Sequence, residues 1–236
     1  TVSLTLASNN FTKTGYTFNK WAEGSASGTQ YAAGASYTDI GTSVTDTTIT
    51  KTMYALWTYN ATPSITRSDY NTFTYSATGG YAYYVSETQT TAPSAGSDNP
   101  GTASTLDAWT TSTTSPDIST AGTYYVWVKD SSGKVSANSK KIVAYTMSRS
   151  QGTGTTLTTR YDATSETTGT ALTASSILVL NGTPFWAKAT ANSGYKSIAL
   201  KHGSTTMTAA GATFNSSASE SIASTATGIS YKVAFN

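Results

Sequence analysis

The feature that most constrains this chain is a succession of short alternating apolar and polar runs, separated by clusters of Gly, Asn and Ser. Runs such as 53–57 and 123–129 have the two-residue period of strands, and no segment keeps a helical period over about 11 residues or more. Thr and Ser make up roughly a third of the chain, and charged residues only 11%. Because 16 Tyr, 5 Trp and 6 Phe accompany them, and disordered chains are poor in aromatics, the sequence predicts a mainly β fold.

Charge and cysteine content limit the partners and the location. The net charge is +2 with no basic run, so neither nucleic acid nor an anionic membrane is expected as a partner. The absence of cysteine excludes disulfide staples and is common in bacterial exported proteins. No apolar run approaches the roughly 20 residues of a membrane span, so no membrane insertion is expected. We expect an extracellular segment of a longer exported protein, either secreted or at a bacterial cell surface.

Two breaks divide the chain into three predicted units, residues 1–60, 61–147 and 151–236. The first break is the Thr-Pro pair at 62–63, which suits a linker because a residue before proline avoids helix. The second is the stretch 148–156, a linker candidate rich in Gly, Ser and Thr. Strand spacing in the middle unit favours a β-sandwich, with a hairpin turn inside 129–136. The best candidate for a helix is the short stretch 216–227.

A ten-residue frame that opens with Gly-Tyr and closes with Gly occurs twice, at 15–24 and at 194–203. Its first glycine is predicted to occupy a turn that needs positive φ or close packing. Its tyrosine is predicted to begin the next strand. These residues are Gly15 and Tyr16 in the first frame and Gly194 and Tyr195 in the second.

Strand alternation creates a conflict in the first frame. Tyr16 and Phe18 fall on one face and Trp21 on the other, unless a bulge or a turn around residues 19–20 intervenes. We expect Trp21 and Trp57 to be largely buried core residues of the first unit.

The first frame is part of a longer pattern that points to a known family. The pattern has a G-Y-x-F stretch ending in Trp, a Y-x-x-G loop and a closing aromatic strand, formed by Gly15, Tyr16, Phe18, Trp21, Tyr31, Gly34, Tyr54 and Trp57. In these residues the unit resembles the internalin-type B repeat (Listeria–Bacteroides repeat) of Gram-positive surface proteins, although residues 19–20 depart from it. The resemblance implies a compact β-grasp-like unit that lacks its usual first strand before Thr1. We therefore expect an open strand edge, with self-association along it or lower order than in the sandwich.

The second frame is similar to the divergent branch of the same repeat. Gly194 and Tyr195 carry the match, a closing run at 231–236 completes it, and Leu200 stands where that branch usually has Trp. The third unit is therefore expected to be a divergent B-repeat-like β module.

The middle unit contains AGTYYV at 121–126, which resembles the corner motif before the F strand of bacterial immunoglobulin-like modules. The resemblance implies an Ig-like β-sandwich in which Tyr124 takes the corner position and Val126 and Val128 point inward. Tyr125 and Trp127 would then point outward.

Tyr125 and Trp127 are the candidate ligand-binding residues. Exposed aromatic rings could stack on sugars, as such rings stack on bases. The alternative is that a neighbouring strand or domain buries them, as is common for large aromatics. Phe185 and Trp186 present a similar choice, because strand neighbours face opposite sides and one of them must meet solvent, a loop or another domain.

Catalytic and metal-binding patterns are sparse. His202 is the single histidine and is expected in an exposed turn before Gly203. The acidic residues are scattered and form no carboxylate-rich motif, so we expect neither enzymatic activity nor a cofactor. Loop oxygens could converge on calcium, although solvated loop carboxylates explain the same residues. The residues concerned are Asp98, Asp107, Asp117 and Asp130.

These features favour a non-catalytic segment of a bacterial cell-surface protein, acting as a stalk or an adhesin module. Its partner would be a host protein, a matrix protein or a glycan. The alternative is a carbohydrate-binding module of an exported glycan-active enzyme, which would need a flat, exposed aromatic platform.

Overall fold

The computed structural model describes residues 3–38, 50–208 and 211–227. Within these ranges the protein is all-β, built from tandem small β modules without a helix, which confirms the predicted fold class. A helix able to cross a membrane is accordingly not found in the described part of the chain. The closing run predicted at 231–236 lies outside the described residues.

The first unit consists of two small antiparallel sheets. Its strands are β1 (Leu4–Thr5), β2 (Tyr16–Glu23), β3 (Gln30–Tyr31), β4 (Ser36–Tyr37) and β5 (Met53–Tyr59). β2 lies between β3 and β5, and β1 pairs with β4. Within the described residues β5 pairs only with β2, so one edge of this sheet is open. Self-association along such an edge stays a prediction.

A bulge in β2 removes the alternation conflict of the first frame. The register with β5 shifts between Phe18 and Lys20, so Asn19 is the extra residue. Because a bulge displaces the alternation by one position, the rings of Phe18 and Trp21 lie on one face, with centroids 5.1 Å apart. The ring of Trp57 lies 5.9 Å from that of Phe18.

Trp21 and Trp57 are partly buried and lie outside the fully buried core, so the expectation of two largely buried core residues is met only in part. The Trp21 Nε1 group donates to the Ala7 carbonyl at 3.0 Å, which holds the ring at the rim. Tyr54, also part of the family pattern, is 44% exposed.

The middle unit is a β-sandwich. Its strands are β6 (Ser64–Arg67), β7 (Phe73–Ser76), β8 (Ala82–Ser86), β9 (Trp109–Thr110), β10 (Gly122–Lys129) and β11 (Lys140–Gln151). β6 and β7 form one layer, and β9, β8, β10 and β11 pair in that order in the other. The sandwich core between them contains Phe73, Tyr75, Val85, Tyr124, Val126 and Val128.

The corner motif has the predicted geometry. Tyr124 is fully buried, and its hydroxyl donates to the Thr120 carbonyl at 2.9 Å, the bond expected of a tyrosine corner. Val126 and Val128 are fully buried in the sandwich core, which confirms their inward orientation.

The third unit adds eight strands. They are β12 (Thr155–Tyr161), β13 (Thr170–Ala171), β14 (Ser176–Leu180), β15 (Pro184–Ala191), β16 (Ile198–His202), β17 (Thr205–Met207), β18 (Ala212–Asn215) and β19 (Glu220–Ala226). One sheet has the order β13, β12, β15, β18, and β17, β16 and β19 continue the sheet of β11. The second core between these sheets contains Met147, Leu157, Val179, Phe185, Leu200 and Ile222.

The helix predicted at 216–227 is wrong. Residues Glu220–Ala226 form strand β19, which runs parallel to β11. Its alternation buries Ile222 and Ser224, so the two-residue period decides the structure of this Ser- and Ala-rich segment.

β11 runs through the segment predicted as the second linker. Its first half pairs with β10 over 140–144, and its second half pairs with β14 and β19 over 144–151. Only residues 152–154 separate β11 from β12. The prediction of a linker at 148–156 is therefore wrong.

The glycines of that segment serve close packing. A Cβ placed on Gly152 would collide with the backbone of Ser224, and one on Gly154 would collide with the ring of Tyr195. Glycine allows these approaches because it has no side chain.

Phe185 and Trp186 are both buried, although they face opposite sides of β15. Phe185 belongs to the second core. Trp186 is covered by the loop at Gly211, where an added Cβ would lie 3.2 Å from the indole. Trp186 therefore meets a loop, one of the three predicted environments.

Candidate functional site at the unit junctions

Strand β14 joins the middle and third units. Leu178 and Leu180 pack with the sandwich core, whereas Ile177 and Val179 pack with the second core. Because neighbouring strand residues point to opposite faces, one strand of five residues fills both cores. Val179 and Leu180 are fully buried.

Polar and aromatic contacts support the same junction. Arg67 Nη1 lies 2.6 Å from Asp162 Oδ1. Burial raises the pKa of Asp162, and the Arg67 guanidinium opposes that rise. The Tyr70 and Tyr161 rings meet edge to face with centroids 4.8 Å apart, and the Tyr70 carbonyl accepts a hydrogen bond from Leu180 N–H at 2.6 Å.

The junction between the first and middle units centres on Asp130, which is 4% exposed. Its Oδ2 accepts a hydrogen bond from the Tyr16 hydroxyl at 2.6 Å. Its Oδ1 accepts from the Ser132 N–H at 2.9 Å, from the Ser132 hydroxyl at 2.7 Å and from the Lys134 N–H at 2.9 Å. These bonds fix the carboxylate within the predicted turn inside 129–136, so that it faces the first unit.

The pKa values of the Tyr16–Asp130 pair shift apart. Burial raises the pKa of Asp130, but hydrogen bonds from Tyr16 and Ser132 outweigh burial and hold that pKa below its ordinary value. Burial, followed by the hydrogen bond to Asp130, raises the pKa of Tyr16 to about 12. At neutral pH the proton therefore stays on Tyr16, and the Asp130 carboxylate accepts a charge-assisted hydrogen bond from the tyrosine hydroxyl.

Further contacts close this junction. The Tyr16 and Tyr59 rings lie 4.9 Å apart, and Tyr59 is 1% exposed within the sandwich core. The hydrogen bonds join Tyr59 Oη to the Thr78 carbonyl at 2.9 Å, Lys134 Nζ to the Trp57 carbonyl at 3.0 Å and Asn138 Nδ2 to the Asn60 carbonyl at 2.6 Å.

Both Gly-Tyr frames begin with the same turn. The tyrosine N–H donates to the carbonyl three residues earlier, at 2.9 Å for Tyr16 and 3.0 Å for Tyr195. Gly15 and Gly194 have φ values of 80° and 88°, which confirms the predicted positive φ and suits the third position of a type II turn.

The two frames diverge after that turn. Tyr16 begins β2 as predicted, but Tyr195 lies before β16, so the prediction for Tyr195 is wrong. Ser197, with a φ of 57°, interrupts the extended backbone between Tyr195 and the start of β16. The ring of Tyr195 packs on Gly154 at the turn after β11.

Tyr125 and Trp127 do not form an exposed platform. Trp127 is 2% exposed, and its Nε1 group donates to the Gln89 carbonyl at 2.9 Å. Tyr125 is half-buried. The alternative of packing therefore holds for Trp127, and a loop, rather than a strand or domain, covers it.

Lys129 and Trp109 hold that loop, residues 87–108, against β10. The Lys129 ammonium donates to the carbonyls of Ala95 and Ser97, at 2.7 Å each, and lies 4.9 Å from the centre of the Trp109 ring. Lys129 is 1% exposed. Burial lowers its pKa, and the charge of Asp98 acts in the opposite direction.

Sequence reasoning missed the roles of Asp130 and Lys129. An available signal for Asp130 is Asp-Ser-Ser-Gly, since an aspartate that opens such a turn bonds the backbone ahead of it. Lys129 shares a strand face with Trp127 by alternation, but the sequence does not show that carbonyls of a long loop reach it.

His202 is half-buried at the end of β16, so the expected exposed turn is wrong. Its ring stacks on Phe214 with centroids 3.9 Å apart and contacts the Glu220 carboxylate. No group of three or more His, Cys, Asp or Glu in the described part of the chain could hold a metal ion.

Comparisons of the sequence and the structure with known proteins identified no similar protein. No protein-family model, curated protein or solved structure matches this chain. The resemblance to B repeats and immunoglobulin-like modules therefore stays a prediction.

Proposed function

We propose that the chain is a non-catalytic segment of a bacterial cell-surface protein that acts as a stiff stalk, or as the stiff part of an adhesin module. The observation that carries this proposal is the packing of both unit junctions. One junction shares β11 and β14 between two cores, and the other encloses Asp130. A stalk needs such junctions, because units on flexible linkers reorient freely and set no distance.

Stiffness can be measured with two fluorophores, since the chain has no cysteine to interfere. Cysteines would replace Lys20 in the first unit and Lys201 in the third, both exposed. Single-molecule energy transfer should show one narrow distance distribution. An inter-fluorophore distance distribution that stays broad under every solution condition tested would contradict a stiff stalk.

Location is tested separately. Antibodies against the chain should label intact cells of the source organism without permeabilisation. Labelling that appears only after the cells are opened would contradict a surface role.

One pair of neighbouring aromatic rings supports the carbohydrate-binding alternative. The half-buried rings of Tyr84 and Trp109 lie 5.5 Å apart on β8 and β9. A glycan array would favour this alternative if a bound sugar lost affinity on Tyr84→Ala and kept it on Tyr54→Ala, a change at an exposed tyrosine in the first unit.

A further inference from the structure

A groove of about 410 Å³ separates the outer edge of β6 from the first half of β11. This volume is within the roughly 300–1,000 Å³ of ligand sites. Ile65 and Ile142, both partly buried against the sandwich core, form its apolar floor. Arg67, Lys140 and Lys141 line its sides.

The groove presents unpaired backbone groups of β6. In the described sheets β6 pairs only with β7. The Thr66 carbonyl faces β7, because it accepts a hydrogen bond from the Thr74 hydroxyl at 3.3 Å. By strand alternation the N–H and C=O groups of Ile65 and Arg67 point the opposite way, into the groove. Such an edge is a template for another strand.

The charge of the groove is positive and only partly compensated. Arg67 pairs with Asp162. Lys140 and Lys141 are exposed, and neither makes an ion pair with any described residue. The groove therefore combines an apolar floor, strand-edge hydrogen-bonding groups and two lysines that make no ion pair with the described residues, Lys140 on the inward face of β11 and Lys141 on the outward face.

We propose that this groove binds an extended acidic segment of a partner protein, which adds to β6 as a third strand. The segment's backbone pairs with Ile65 and Arg67. Its apolar side chains point inward onto Ile65 and Ile142, and its carboxylates, on the opposite face, lie near the outward-facing Lys141. Strand addition of this kind draws affinity from the backbone and selectivity from the side chains.

A second copy of the chain fits the groove less well. Each copy carries a net charge of +2, and its 12 acidic residues are scattered. Binding of an acidic partner goes beyond the stalk role and does not rest on it.

The test uses a fluorescein-labelled peptide that alternates Val and Glu, with a matched peptide that alternates Val and Lys. Fluorescence anisotropy should show saturable binding of the acidic peptide, no binding of the basic one, and weakening as salt screens the charges. In an NMR titration the Ile65 and Arg67 amides should shift and become protected. Equal binding of both peptides, or no binding at millimolar concentration, would overturn the proposal.

Variants separate the groove from general charge. Lys140→Glu with Lys141→Glu should weaken acidic-peptide binding about tenfold or more, as expected for one lost ion pair plus the repulsion of two new carboxylates. Lys196→Glu with Lys201→Glu makes the same charge change at exposed positions elsewhere and should leave the affinity within about twofold. Equal loss in both double variants would overturn the proposal.

Ile65→Pro removes an edge N–H that β7 does not use, and it should abolish protection of the remaining Arg67 amide by the peptide. Sedimentation of the free chain supplies another outcome. A concentration-dependent dimer that Lys140→Glu with Lys141→Glu disrupts would assign the groove to a second copy and overturn the acidic partner.

Discussion

The two junctions between the units of this molecule are held by different kinds of contact. Between the middle and third units, β11 runs unbroken and β14 places Leu180 in one core and Val179 in the other. Between the first and middle units, the hydrogen bonds of Tyr16 with Asp130 and of a few backbone carbonyls surround one buried side chain, Tyr59, which ends β5 and lies in the sandwich core. Apolar burial in shared strands couples two cores, whereas the first unit reaches the sandwich core only through the strand-end tyrosines Tyr16 and Tyr59 among the described residues, and hydrogen bonds supply the rest of the contact.

The difference predicts different responses to mutation and pH. Damage to the shared strands should destabilise the middle and third units together. Damage around Asp130 should affect the first unit and its attachment. Segment-resolved hydrogen exchange distinguishes the two cases, because it reports opening of each strand separately.

The largest effect is expected from Leu180→Ala. The side chain is fully buried in the sandwich core although it belongs to the third unit, and Leu→Ala in a core costs about 2–5 kcal/mol. Exchange should accelerate in β10 and in β19 by the same factor. As a control, Thr146→Ala removes an exposed side chain from β11 and should change stability by less than about 0.5 kcal/mol. Faster hydrogen exchange in only one of the two units would contradict the coupling of the middle and third units.

Trp21→Ala should act on the first unit alone. Because the indole is half-buried, we expect less than the roughly 3–5 kcal/mol of a fully buried tryptophan. Exchange in β2 and β5 should accelerate while β10 and β19 keep their rates. An unchanged first unit would make Trp21 a surface group and point to a ligand contact.

Asp130→Ala should loosen the attachment of the first unit, although Tyr59 stays in the sandwich core. It removes a buried carboxylate that accepts four hydrogen bonds, and a hydrogen bond to a charged group contributes about 1.5–3 kcal/mol. The energy-transfer distribution between units one and three should broaden. Tyr16→Phe removes one of the four bonds and should broaden it less; equal widths in Asp130→Ala and the unchanged protein would contradict the role of Asp130.

The smallest effect is the pH dependence of the first junction. The folded-state pKa of Tyr16, about 12, exceeds its ordinary 10.0, so its contribution is complete below pH 10 and is lost as pH rises from 10 to 12. The pKa of Asp130 is lowered from 3.8, so its contribution is complete above that value and is lost as pH falls further. Burial also raises the pKa of the neighbouring Tyr59 to about 12, so alkaline loosening should be weaker in Tyr16→Phe without disappearing. An unchanged pH profile in Tyr16→Phe would assign the loosening to Tyr59 or to another group.

Local features of the fold could be predicted from the sequence, because they depend on neighbouring residues. Gly15 and Gly194 have the predicted positive φ, and Tyr124 makes the corner bond within its own segment. Asn19 is the extra residue at the bend that alternation demanded.

Features that depend on distant parts of the chain could not be predicted. In the sequence, Gly152 and Gly154 resemble linker residues. In the fold, Ser224 and Tyr195 pack closely on them. Trp127 alternates outward as predicted, but it is buried, and its Nε1 group donates to the Gln89 carbonyl of the distant loop 87–108. The candidate junction site escaped prediction for the same reason, since Tyr16 and Asp130 are far apart in sequence and meet only in the folded chain.

The shared strands are tested most directly by native-state hydrogen exchange of the unmodified protein in increasing denaturant. The amides of Val126 in β10 and Ile222 in β19 lie in different cores. If β11 and β14 couple those cores, both amides should exchange through one opening, with the same free energy and the same denaturant slope. A lower free energy and a smaller slope for Ile222 than for Val126 would show that the third unit opens alone, and would contradict the coupling.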